Sequence, residues 1–304
     1  MMSRPRFRSR QLLRRFAMVV MVILTVGGRS GMADEEAVTR NAARVQQLEQ
    51  AMPVGPRSAK KLGLRVAWRH TIAANRITEV FISNGAAFLV DSDNEITMLN
   101  LKSGQQRWVG FGGARNDVIL DIQYLPSDSK VLVVRTHSIL TLESNTGIPV
   151  AHGAMQSSSQ PLEWLAATPG IVHGNTYISG GLAGEVVWQG WNMGFSLRAH
   201  RIGRRIASPP VLAGRAVLTC SRSGALAALD ADTGTLLWQQ QLLDSISGVP
   251  ATSKSLAVVA SRDQHLRAFD TAAGKLKWAR LFEQPLISGP VLMNNAVYQH
   301  VPGT

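Results

Sequence analysis

Hydrophobic and polar positions divide this chain into three stretches. Phe16 to Val26 is an unbroken run of eleven apolar or neutral residues. Between Asp34 and Met52, apolar Val38, Val45, Leu48 and Met52 recur at helical spacing, with Arg40, Arg44, Gln47 and Glu49 between them. That pattern predicts a helix, opened by Asp34, Glu35 and Glu36 and stopped by Pro53, with Pro53 to Lys61 as a linker. From residue 62 onward the apolar runs are short and bounded by Gly, Asp, Asn and Ser, which predicts strands and turns. Ala216–Cys220, Ala225–Asp230 and Thr235–Gln241 read as three strands of one unit, with Val211 and Leu212 beginning a fourth. Gly224 and Gly234 supply the positive φ that tight hairpins require.

That unit repeats. Asp230, Gly234 and Trp238 recur forty residues later as Asp270, Gly274 and Trp278, and Pro210, Pro250 and Pro290 keep the same step. Weaker copies lie at Gly104 with Trp108, at Thr146-Gly147 and at Met193-Gly194. A period of 40–50 residues marks a propeller or a solenoid. Helical repeats would need stretches of 3.6-residue periodicity that are missing here, so the pattern predicts an all-β propeller of four-stranded blades.

The segment Ala228 to Trp238 resembles the tryptophan-docking repeat A-x-D-x-x-T-G-x-x-x-W of the pyrroloquinoline-quinone-like (PQQ-like) β-propellers, in the quinoprotein alcohol dehydrogenase-like superfamily. Ala228, Asp230, Thr233, Gly234 and Trp238 all fit. Ala268 to Trp278 fits except at Ala273, and Met98 to Trp108 keeps Gly104 and Trp108. Ala151 and Arg198 stand where tryptophan is expected in the remaining two copies. The resemblance implies that these tryptophans pack between neighbouring blades and are structural. It covers residues 62–304 and implies five full blades and a partial sixth. Ile287–Met293 and Ala296–Val301 would begin that sixth blade, and Leu64–His70 would supply its outer strand. Relatives usually have seven or eight blades, so at about 40 residues each the resemblance implies a ring truncated at the C-terminus, with an open ring as the alternative.

Charge and export belong together here. Residues 1–15 carry six arginines and no acid, the apolar run follows, and Gly31-Met32-Ala33 closes it with small residues. This is the order of a secretory signal peptide over residues 1–33. Eleven residues fall short of the roughly 20 that span a bilayer, although an inner-membrane anchor through residues 16–26 is the alternative. Removing the leader leaves 25 basic against 20 acidic residues, a net of +5 in place of +12. A nucleic-acid function loses most of its support with that change. The expected location is periplasmic or secreted, with membrane contact only through the leader.

Candidate chemistry is sparse. Asp91-Ser92-Asp93-Asn94-Glu95 is calcium-like but lacks the glycine and late glutamate of an EF-hand loop, and reads as an acidic turn. The seven histidines share no metal-ligand spacing. Ser127-x-x-Lys130 precedes a strand instead of opening a helix, unlike a serine acylase. Gly110-Phe111-Gly112-Gly113 reads as a loop between blades. A lone Cys220 excludes a vicinal disulfide of the kind that the resemblance implies for quinone-binding members. The strongest charge feature is Arg198, Arg201, Arg204, Arg205, Arg215 and Arg222, within 25 residues that contain no acid. Such a cluster suits phosphate, an anionic glycan or an acidic partner, unless strand alternation sends the side chains to different faces.

Three functions follow as expectations. The first is an exported, non-catalytic scaffold that docks envelope proteins without a cofactor, similar in repeat type to the outer-membrane assembly propeller. The second is a PQQ-dependent dehydrogenase holding PQQ and calcium, or a decayed relative. The third is a sugar or polyanion binder using the arginine cluster.

Overall fold

The structure, a computed structural model, describes residues 42–47, 55–68, 70, 76–151, 157–294 and 296–303. The leader lies outside these residues, as does most of the Asp34–Met52 segment. Of that segment, 42–47 is helical (α1), with Val45 its half-buried position. The expected linker is in part a second helix, α2 (Pro56–Lys61). Pro56 suits a first helical turn because its missing N–H would be unpaired there anyway, and Ala59 is fully buried.

The described residues divide into two compact units, one reaching up to residue 91 and including 97–107, the other made of 92–96 and the residues from 108 onward. The first sheet runs in order β1 (Ile77–Ser83), β2 (Ala86–Asp91), β3 (Glu95–Asn100) and β4 (Gln106–Phe111). Gly110 and Phe111 therefore belong to a strand, where the sequence suggested a loop. In the first unit, Leu64 to Trp68 forms no strand, contrary to the expected outer strand. Its Trp68 nonetheless donates its indole N–H to the Leu101 carbonyl at 2.7 Å.

The second unit repeats one design. The second sheet holds β5 (Ile119–Leu125), β6 (Lys130–Arg135), β7 (Ser138–Glu143) and β8 (Ser159–Pro161). The third holds β9 (Ile171–His173), β10 (Thr176–Gly180), β11 (Glu185–Gly190) and β12 (Ser196–Arg201). The fourth holds β13 (Val211–Ala213), β14 (Ala216–Cys220), β15 (Ala225–Asp230) and β16 (Leu236–Gln241). The fifth holds β17 (Ala251–Thr252), β18 (Leu256–Ala260), β19 (His265–Asp270) and β20 (Leu276–Leu281), and β21 (Val291–Met293) pairs with β22 (Ala296–Tyr298). All recorded pairings are antiparallel, with first strands of successive sheets touching, β13 with β17 and β17 with β21. Repeated four-stranded antiparallel sheets of this kind are the β-propeller fold.

Period-2 alternation explains why β15 is buried along its whole length. Ala227 and Leu229 face the third sheet, where they meet Ile178, Val186 and Trp188. Leu226 and Ala228 face the other way, toward Ala257, Val259 and Phe269 of the fifth sheet. A strand between two sheets needs apolar residues on both faces, and small alanines let the sheets approach closely.

Candidate functional site

Two kinds of site residue are present: the docking motifs that join sheets, and the arginines. In the fourth sheet Asp230 closes the turn to β16. Its Oδ1 accepts the N–H of Thr233 (2.8 Å) and of Asp232 (3.1 Å) and the Thr233 hydroxyl (3.0 Å). The Gly234 N–H returns to the Asp230 carbonyl at 2.8 Å, and Gly234 takes the left-handed conformation at φ +69°. The Thr233 backbone bond, followed by the Thr233 hydroxyl, holds the Asp230 carboxyl below the ordinary carboxylate range. Asp270 builds the same turn on Ala273 (2.9 Å) and Ala272 (3.0 Å), and Lys277 approaches it at 3.1 Å. Its carboxyl is also lowered, first by the Ala273 N–H. Asn100, which the aspartate pattern of the repeat does not reveal, does the same by accepting from Lys102 and Ser103.

These turns receive the tryptophans of the preceding repeat. The Trp108 indole donates to the Ser144 carbonyl (2.8 Å), and Trp238 donates to the Thr271 carbonyl (2.9 Å). Each acceptor lies three residues before the turn glycine, Gly147 or Gly274. A Cβ on either glycine would come within 2.5 Å of the ring. Trp68 stands in the same relation to Gly104 and Leu101. Glycine is required here twice over, for its positive φ and for the close approach.

The degenerate third repeat solves the same problem differently. Arg198 occupies the usual tryptophan position and its methylenes lie against Gly234. The indole comes from Trp188, its register partner on β11, which donates to the Ala231 carbonyl at 2.8 Å. The preceding repeat has Thr141 and Ala151 at the two positions that could carry an indole. There Trp191 of the third repeat is buried among Leu125, Leu132, Ile139 and Tyr177. The same junction holds a polar cluster. Asp121 Oδ2 accepts from Gln123, the Gly170 N–H and the Tyr177 hydroxyl. Burial pushes the Asp121 carboxyl up, against the pull of those bonds.

The arginines separate by end of sheet. Antiparallel order puts the second-to-third-strand hairpins at one end, beside the loops that link one sheet to the next. There the Arg222 N–H donates to the Arg205 carbonyl (2.9 Å) and the Arg262 N–H to the Ser245 carbonyl (3.0 Å). Arg204 lies in the same loop as Arg205, and Arg201 ends β12 at this end, opposite Glu185. Burial and then the charge of Arg222 lower the pKa of Arg205. Arg215 sits at the opposite end, in the β13–β14 turn, ion-paired with Asp230 at 3.0 Å. The structure therefore gathers Arg201, Arg204, Arg205 and Arg222 on one rim, adds Arg262, and removes Arg198 and Arg215. Arg204, Arg222 and Arg262 have no carboxylate partner among the described residues. Leu243, 89% exposed, and Leu165, 50% exposed, flank them.

The remaining candidates are structural. Asn94 donates to the Ala114 and Asp117 carbonyls, and Asp93 pairs with Arg115, so the calcium-like string is a tied-down turn. Ser127 lies in a single 3-10 turn before β6, where Lys130 pairs with Glu143. Cys220 is buried and its thiol is pushed up to about 12, which keeps it protonated and inert. No group of three or more His, Cys, Asp or Glu converges among the described residues.

Comparison with known proteins agrees with this geometry. Residues 180–296 match the family described as outer membrane protein assembly factor BamB. The crystal structure of BamB from Moraxella catarrhalis is 22% identical, covering 77% of this chain and 73% of its own, with a TM-score of 0.60. The computationally designed protein Ika8 matches at 17% identity over 73% and 66% of the two chains, with a TM-score of 0.57. The WD40 domain of Neurospora crassa Pan2 matches at 13% over 72% and 69%, with a TM-score of 0.52. No curated protein matches. The family match falls on the forty-residue units between residues 180 and 296, and the solved structures share the β-propeller fold.

Proposed function

We propose that this chain is an exported, non-catalytic propeller scaffold of the outer-membrane assembly type. It docks an envelope protein on the rim of Arg204, Arg205, Arg222 and Arg262. The observation that carries this reading is the rim itself. Arg204, Arg222 and Arg262, without carboxylate partners among the described residues, are held on loops tied to rigid sheets, with apolar Leu165 and Leu243 beside them. Loops on a rigid scaffold are where binding residues concentrate. Arginine and an apolar anchor together suit an acidic protein surface. The likeness to BamB supports an envelope role, and the leader pattern supports export.

A photo-crosslinking residue at Leu243, with a second at Gly214 on the opposite end as control, tests this. The reading expects one defined envelope adduct from Leu243 and none from Gly214. Equal adducts from both, or none from either, would contradict it. The proposal also holds that adding PQQ with calcium neither shifts the melting temperature nor produces alcohol oxidation. The polyanion reading keeps one supporting observation, the closeness of Arg205 and Arg222. Binding of a model polyanion such as heparin as tightly as the protein partner would favour it.

A further inference from the structure

The second sheet carries a buried arginine where later sheets carry serine. The Thr136 N–H reaches the Val118 carbonyl at 3.3 Å, as the Arg222 and Arg262 N–H groups reach the Arg205 and Ser245 carbonyls. Arg135 therefore holds the place of Ser221 and Ser261, and it is only 9% exposed. Its Nη1 donates to Asp117 Oδ2 at 2.7 Å and its Nη2 to the Ser159 hydroxyl at 2.6 Å. Its Nε has no hydrogen-bond partner among the described residues, and neither has the hydroxyl of Ser138, which is 4% exposed. The two residues flank the two-residue turn Thr136-His137, one step beyond the Val134–Ile139 pair of β6 and β7. Residues that face each other in this way put their side chains on one side of the sheet, with Cβ atoms about 5 Å apart. Nε is the guanidinium nitrogen nearest the backbone, and so the one beside Ser138. A buried donor left unpaired is costly, and two adjacent ones call for a shared acceptor.

We propose that Arg135 Nε and Ser138 Oγ together hold a small monovalent anion of the chloride class. Both groups donate, so the ligand is an acceptor. Asp117 is committed elsewhere, because its Oδ2 already takes Arg135 Nη1 and the Ala114 N–H, the latter at 3.0 Å. Both donors belong to side chains at least nine-tenths buried, so the ligand is small. Gly113 packs against the same ion pair, and a Cβ there would come within 2.6 Å of Asp117 Oδ2 and 2.8 Å of Arg135 Nη1. Charge sets the valence. Arg135 and Asp117 offset each other, and His137 Nε2, 3.8 Å from Asp117 Oδ1, adds one positive charge when protonated. A divalent anion would leave uncompensated charge buried, which is strongly unfavourable. At the equivalent position of the fourth and fifth sheets the serine hydroxyls are already paired, Ser221 with Ser223 and Ser261 with Asp263.

Melting of the full chain in sodium chloride from none to about 300 mM, with sodium gluconate holding the ionic strength constant, tests the proposal. An anion bound only to the folded state raises the melting temperature. At roughly tenfold excess over Kd the expected rise is about 3 °C, and bromide is expected to replace chloride. Ser138→Ala removes one donor without touching the Arg135–Asp117 pair, and is expected to cut the rise to below about 1 °C. Arg135→Gln is expected to abolish it, and Ser138→Ala decides the matter should that variant not fold. In a bromide-soaked crystal the anomalous peak is expected within hydrogen-bonding distance of Arg135 Nε and Ser138 Oγ. No chloride-specific rise, or an equal rise in Ser138→Ala, would overturn the proposal. A bromide peak without the solution effect would mark an adventitious ion only, and would overturn it too.

Discussion

Trp188 and Arg198 face each other across β11 and β12, and it is Trp188 that delivers an indole to the Ala231 carbonyl, at 2.8 Å. In the fourth and fifth repeats, the same cross-strand pairs are Ala228 with Trp238 and Ala268 with Trp278. The indole has moved to the facing strand while the acceptor, three residues before the next turn glycine, has stayed. What the fold keeps at this junction is a place for an indole, reachable from either of two facing strands.

The exchange predicts a double-variant result. Trp188→Ala removes a fully buried ring and its hydrogen bond, and is expected to cost about 3–5 kcal/mol. Arg198→Trp alone overfills the site and costs about 1–3 kcal/mol. The double variant restores the arrangement of the fourth repeat and is expected to be more stable than Trp188→Ala alone. Urea unfolding of the three variants checks this, and additive losses would show that the two positions are not interchangeable.

Two glycines with nearly equal backbone angles separate strain from contact. Gly214 has φ +63° with nothing within 4 Å of an added methyl, while at Gly274, φ +66°, the Trp238 ring lies 2.5 Å away. Gly214→Ala is expected to cost only the left-handed penalty, about 1–2 kcal/mol. Gly274→Ala adds displacement of Trp238, a further ~1–3 kcal/mol. Thermal unfolding should rank them in that order, with Trp238 emission shifted in the second variant only.

Asp121 predicts a pH dependence of unusual sign. Burial raises its folded pKa above the unfolded value, so the folded state binds its proton more tightly. Stability from this group is present below the unfolded pKa and declines as pH rises toward the folded one. Asp230 and Asp270, held low by their turns, slope the other way, losing stability as pH falls. The difference between wild type and Asp121→Asn isolates the first effect. The variant should gain relative stability as pH rises from about 3.5 to about 7, through the carboxylate range. No change in the difference across that range would show that Asp121 is not perturbed.

The turn at Asp270 lacks one bond that its neighbour has, because Ala273 replaces the threonine whose hydroxyl reaches Asp230 at 3.0 Å. Ala273→Thr is therefore expected to raise the melting temperature, and a Ser substitution to do so less. A fall in melting temperature would mean that this turn is already optimal without the hydroxyl.

The repeat was legible because its signals are local. Strand alternation and turn glycines placed β14 and β15 at their observed ends, since each hairpin fixes its own register. Trp188 was not legible: a search for an aromatic four residues after the glycine cannot see that a facing strand supplies it ten residues earlier. Asn100 was missed because only Asp was sought, although either side chain can close an Asx turn. The cluster of Asp121, Gly170 and Tyr177 joins residues 49 to 56 positions apart, and no short-range pattern reports it. The arginine cluster looked continuous along the chain, but Arg215 follows one strand to the far end of its sheet.

Whether the arginine rim holds the partner is tested most directly by a binding titration. The partner captured from the Leu243 position would be titrated with wild type and with the Arg204→Ala, Arg205→Ala, Arg222→Ala triple variant, at two salt concentrations. The prediction is at least a roughly tenfold weaker complex for the variant with an unchanged melting temperature, and wild-type binding that weakens with salt. Equal affinity for the two proteins, with the fold intact, would contradict it.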